Sequence, residues 1–277
     1  MEAKAKLNEQ NQSQDLSDKK RTALKFYTGG RRFKVIACEI LFREVCLCAA
    51  ASPNIIDPVF LTKGLHDIGE TKMTARLQQE IDAVDPEKYD AILLVYGLCN
   101  NGIRGLSAKL PLVIPRAHDC ITLLMGSKEK YQQYFNEKAG TYFKSTGWIE
   151  RDAGSLESED GASITSQLGM NRTYAEYVEE YGEENAEYLM EILGDWLHQY
   201  HRLAYIDTNT GDKNANIELT RQQAEERGWE YETLQGDTRL ISQLFSGNWS
   251  EDEFLVAAPD QKIMPSYDEH VIKSQAD

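Results

Sequence analysis

The chain has 277 residues, 41% hydrophobic and 27% charged, enough for a sizeable core in one large or two modest domains. Its 30 Lys and Arg against 45 Asp and Glu leave a formal net charge of −15, a field that repels nucleic acids and anionic membranes. No apolar run reaches the roughly 18 residues of a bilayer-spanning helix, and MEAKAKLNEQNQSQDLSDKKRTALKF has no apolar core of a secretory signal. A cytoplasmic location is therefore expected, with the 5 cysteines mostly present as thiols.

In chain order, residues 1–30 are polar and predict a flexible tail ending in Gly29-Gly30. FKVIAC (33–38) predicts a first strand and 39–51 a helix. PVFLTKGL (58–65) predicts a second strand, followed by a helix over 71–84 with Met73, Leu77, Ile81 and Val84 on its apolar face. AILLVY (91–96) is a continuous apolar run, as expected of a strand covered on both faces. A short strand at 112–115, a helix at 121–135 and a strand at 141–150 follow. Residues 151–200 carry 12 acids against 2 bases and predict an acidic helical segment. Strand and helix then alternate again: strands at 203–207, 229–234 and 253–258, helices at 219–227 and 240–245. This alternation predicts an α/β fold with a mainly parallel sheet. The expected organisation is a Rossmann-like half over 31–150, the acidic helices over 151–200, and a second α/β half over 201–277.

Three cysteines then share one address. Cys38 closes the first strand, Cys99 follows the third in VYGLC, and Cys120 follows the fourth in PRAHDC. In an open parallel sheet all strand carboxyl ends lie on one edge, where such folds place ligands. His118 precedes Cys120 by two residues, and His66 follows the second strand. Thiolates and imidazole are ligands that zinc and iron–sulfur clusters favour, so Cys38, Cys99, Cys120 and His118 form the candidate metal set. The alternative is that the sulfurs fill the core, the expectation for Cys46 and Cys48 inside the helical run EVCLCAAAS. In GLCNNGIRGL (97–106), Gly97 and Gly102 bracket Cys99 and allow backbone N–H groups to meet an anion, with Asn100 between them. Arg104 and Arg116 are candidates to hold a carboxylate or phosphate, or else to pair with acids such as Glu39 or Asp119. Asp119, His66 and Glu39 are the expected supporting groups around the ligands.

ACEILFREV, VYGLCNNGIRGL, VIPRAHDCITLLMGSKEKYQQYF and GTYFKSTGWIE, with the later GDTRLISQLFSGNW and EFLVAAPDQKI, resemble the uncharacterised family DUF1638 across most of residues 33–265. The resemblance implies members in methanogenic archaea and some bacteria, associated with corrinoid-linked methyl-transfer systems. His118-x-Cys120 also resembles the H-x-C part of the zinc set of corrinoid-dependent methyltransferases. Those enzymes are barrels whose further cysteine follows the motif, whereas Cys38 and Cys99 precede it here, so only similar ligand chemistry is implied. The expected function is a zinc-dependent, transferase-like enzyme of one-carbon or thiol metabolism acting on a small anionic or thiol substrate, with a corrinoid protein as a partner. The competing expectations are an iron–sulfur enzyme with three cysteine ligands and a metal- or corrinoid-handling accessory protein without turnover.

Overall fold

In a computed structural model of the chain, the described residues are 30–66, 69–99, 101–152, 178, 182, 183 and 200–276. The N-terminal tail and nearly all of the acidic segment 151–200 lie outside them, and with them the expectation of helices there.

The protein is a mixed α/β structure with two mainly parallel sheets. Strands β1 (Arg32–Cys38), β2 (Ile55–Leu61), β3 (Ala91–Val95), β4 (Leu112–Pro115) and a later β8 (Phe254–Ala257) form a five-stranded sheet in the order β2-β1-β3-β4-β8. The first four are parallel, and β8 returns antiparallel onto β4. Helices α1 (Phe42–Ala51), entered through a 3-10 turn at Glu39–Leu41, and α2 (Glu70–Asp82) connect these strands. Strand β3 is buried at every position, as its uninterrupted apolar run requires of a central strand.

Two further helices, α3 (Cys120–Met125) and α4 (Lys128–Glu137), lead to β5 (Thr141–Ser145) and α5 (Thr146–Asp152). Strands β5, β6 (Arg202–Asp207) and β7 (Glu230–Gln235) make the second sheet, parallel throughout, with α6 (Lys213–Glu226) between β6 and β7. Helix α7 (Arg239–Ser246) carries the chain back to β8, and β9 (Lys262–Pro265) and β10 (Ile272–Gln275) close it as an antiparallel hairpin.

Three expectations change in detail. The second strand begins at Ile55 and stops at Leu61, so it includes Pro58. This is allowed because β2 is an edge strand, where a missing N–H need not face a neighbour. The helix expected over 121–135 is two helices, broken where Gly126 takes a left-handed conformation at φ 73° and ends α3. The strand expected over 141–150 ends at Ser145 and turns directly into α5. Gly147 permits that turn, since a side chain there would run into the Ile40 carbonyl oxygen.

The strand order contains a reversal. From β1 the chain moves to one side for β2, then crosses to the other side for β3 and β4. A crevice therefore opens at the carboxyl ends of β1 and β3, the usual ligand position of open parallel sheets.

Candidate functional site

Cys38 is the last residue of β1, and the register pairs Ala37 with Val95, so the two chains leave the sheet side by side at the crevice. Past the strand ends, β3 and β4 stay joined through their loops. Leu98 N–H donates to the Ala117 carbonyl at 2.8 Å and Cys99 N–H to the His118 carbonyl at 2.9 Å. Gly97 makes this approach possible, because a Cβ there would lie 2.5 Å from the Asp119 nitrogen. The loop then tightens. Cys99 (φ 48°) and Asn101 (φ 66°) both occupy the left-handed region, an uncommon state for residues other than glycine and one that concentrates at functional sites. Gly102 N–H closes the turn onto the Cys99 carbonyl at 3.0 Å.

Asp119 is the anchor of the opposite loop. Its Oδ1 accepts from the Ile121 and Thr122 N–H groups at 3.0 and 3.1 Å, capping α3, and its Oδ2 accepts from the Tyr131 hydroxyl at 3.1 Å. Cys120 is thereby fixed at the first position of α3.

Cys99, His118, Asp119 and Cys120 line one cleft of about 840 Å³, together with Tyr131, Phe135, Tyr142, Phe143, Trp148 and Tyr200. Cys38 lies behind it, buried against Tyr96, whose hydroxyl favours the ionised sulfur. The three sulfurs share one electrostatic neighbourhood. Burial pushes Cys38 up to about 12, and burial also raises Cys99 and, strongly, Cys120. Cys99 is raised further by Cys38 and Asp119, and Cys120 by Asp119, Cys99 and Cys38. The Trp148 indole N–H finds no oxygen acceptor among the described residues; it faces the Cys120 sulfur and offsets part of that rise. All three are neutral thiols near pH 7 and, as such, weak nucleophiles.

The other expected residues are distributed as follows. His118 is exposed at the rim and also lines a neighbouring polar cavity with Lys128, Asp268 and His270. Arg104 is on the surface, 3.9 Å from Glu70. Arg116 donates to the main-chain carbonyls of Glu251 (2.7 Å), His270 (3.0 Å) and Ile272, which tie it to the C-terminal hairpin. Neither arginine lines the cleft. Glu39 is fully buried, accepts from the Lys63 N–H at 2.9 Å and lies 3.8 Å from Arg151 Nε. His66 ends a 3-10 turn, and Asn100 lies outside the described residues.

As a donor set, three soft thiols with an imidazole at the rim suit zinc or an iron–sulfur centre. Among the described residues, however, no three His, Cys, Asp or Glu side chains already stand in a metal-holding arrangement. Sequence reasoning did not identify the aromatic walls. Their only sequence signal was the aromatic density of YQQYF and TYFKSTGW, which reads equally as core.

The fold and cleft thus define an α/β protein with a cleft lined by Cys99, Cys120 and aromatic rings at the sheet's carboxyl edge. Residues 60–245 match the family described as Protein of unknown function (DUF1638), and the chain belongs to that family. Neither the curated proteins nor the solved structures contain a match to it. Among the described residues, no helix is long and apolar enough to cross a membrane.

Proposed function

We propose that the cleft is the centre of a metal-dependent, transferase-like enzyme of one-carbon or thiol metabolism, with Cys38, Cys99 and Cys120 as thiolate ligands of a zinc-like cation and His118 as the group at its open side. The observation that supports this reading is that Cys99 and Cys120 line one cleft, with the buried Cys38 at the adjoining end of β1. Held neutral, they contribute no nucleophile; a soft divalent cation displaces their protons and gives them a use.

When bound, such a metal lowers the pKa of a substrate thiol or water so that it attacks at neutral pH. The remaining work belongs to the chain. Trp148 N–H supports charge on Cys120, and Asp119 and Tyr131 lock the loop that carries it. The aromatic walls give the reacting end an apolar lining. A corrinoid protein docking over the cleft fits the same reading as methyl donor or acceptor. The mainly parallel five-stranded sheet and the parallel three-stranded sheet suit two Rossmann-like halves that exchange β5 and β8 relative to the expected ranges, and five free cysteines suit a reducing compartment such as the cytoplasm.

A second reading has one observation in its favour. Three cysteines with no fourth cysteine in the cleft lining match a cluster that leaves one iron open to substrate. Metal analysis and a visible spectrum of protein purified without oxygen test both. Colourless protein with zinc near one equivalent per chain is expected, and colour with iron and sulfide would favour the cluster. Replacing Cys38, Cys99 or Cys120 by Ser should remove most of the metal, whereas Cys46→Ser should not. Full metal content in the triple serine variant would overturn the assignment.

A further inference from the structure

We propose that the cleft selects an organic cation, of the methylated-ammonium class, as its substrate; this rests on the reading of the cleft as the substrate site. Its lining holds Tyr131, Tyr142, Phe143, Trp148 and Tyr200, contributed by α4, β5, α5 and the lead-in to β6. These rings are only half-buried, so part of each remains open to an occupant. Tyr142 and Tyr200 meet edge to face at 5.6 Å, and Tyr131 meets Phe143 the same way at 6.1 Å, so the walls are corners rather than flat stacks. Aromatic corners around one cavity are how proteins hold quaternary and methylated ammonium groups, through the negative ring faces.

Charge points the same way. Among the described residues no Lys or Arg lines the cleft, and the carboxylate of Asp119 does. Lys63 Nζ sits 5.3 Å from the Trp148 ring but is not part of the lining. Arg104 and Arg116, the groups expected to hold an anion, are engaged elsewhere. Among the described residues, an anionic substrate would therefore meet the Asp119 carboxylate and no Lys or Arg, with His118 as the ionisable base in the lining. Three thiolates around a divalent metal would leave a further net negative charge, so metal loading strengthens the preference for a cation.

The test is a ligand-observed NMR titration of the full chain with three compounds of one shape: choline, its neutral isostere 3,3-dimethyl-1-butanol, and the anion 3,3-dimethylbutanoate. Choline should bind at least about tenfold more tightly than the isostere, and the anion most weakly. Asp119→Asn keeps a helix-capping side chain but removes the charge, and Tyr142→Leu removes one ring; each should bring choline close to the isostere. Tyr142→Phe should bind choline as the parent does. Equal binding of choline and the isostere, tightest binding of the anion, or no choline binding by protein with a native circular dichroism spectrum would each overturn the proposal. Metal content of the same samples is read separately. Choline binding by protein that takes up no metal keeps the cation assignment and removes the metal one.

Discussion

Replacing Gly97 by alanine probes whether the two loops of the crevice are packed backbone against backbone. The new Cβ would lie 2.5 Å from the Asp119 nitrogen, 2.7 Å from its Cα and 2.8 Å from the His118 carbonyl carbon. All three are main-chain atoms, so no rotamer change relieves the overlap and the loops must part. Overpacking of this kind costs about 1–3 kcal/mol. Parting also weakens the Leu98-to-Ala117 and Cys99-to-His118 hydrogen bonds. Each of those contributes about 1 kcal/mol, so a total loss near 3 kcal/mol is expected. Gly105→Ala is the control: its φ is 81° but a Cβ would meet nothing within 4 Å. Its cost is conformational alone, about 1 kcal/mol. Urea denaturation of both variants measures the difference, and bound metal or choline reads the site. A Gly97→Ala protein no less stable than Gly105→Ala would refute the packing argument.

Alkylation should find Cys46 first, since it is the exposed cysteine of the five, while Cys38, Cys99 and Cys120 should react with iodoacetamide only on unfolding. Peptide mapping by mass spectrometry decides this, and early labelling of Cys99 or Cys120 in native protein would contradict their assigned burial. Glu44 is fully buried and accepts from Thr208 Oγ1 at 2.6 Å and Thr210 Oγ1 at 3.0 Å. Glu44→Ala should therefore cost about 3 kcal/mol in denaturant unfolding and Glu44→Gln clearly less, whereas equal losses would mean that the acceptor is unimportant. Burial alone would raise Glu232, but Lys138 at 2.6 Å, Tyr134 and Arg202 hold its carboxyl below the usual range. A depressed folded pKa stabilises above the unfolded value and the benefit is lost as pH falls. Glu232→Gln should thus cost about 1 kcal/mol near neutrality and progressively less below about pH 4, and a cost independent of pH would contradict the shift.

The core of the first sheet is legible in the residues, because β1, β3 and β4 are short apolar runs with turn-forming neighbours. The break in the 121–135 helix was legible too, at Gly126, but apolar residues continue on both sides of it, although the first helix is buried throughout and the second at no position. The strand expected over 141–150 shows the opposite problem. Its apolar and aromatic residues do belong together, yet Phe143 and Trp148 reach the same cleft from a strand and a helix. The positions of the cysteines followed from strand ends alone. The destinations of Arg104 and Arg116 did not, because they depend on Glu70 and on carbonyls of residues 251, 270 and 272, which only the folded chain brings near. The aromatic walls were hidden for a similar reason: no single window contains Tyr131, Trp148 and Tyr200.

The antiparallel strand β8 sets an order of events for the growing polypeptide. Leu112–Pro115 pairs with Phe254–Ala257, and all four residues of β4 are buried. A nascent chain that has emerged only as far as the second sheet thus displays a bare, wholly apolar strand rim. Such rims recruit strands from other molecules. Until residues 254–257 have emerged and paired with β4, the crevice sits one strand away from an unfinished border. Fragments that stop short of residue 254 should therefore aggregate rather than fold, so a strand distant in sequence is a condition for building the site.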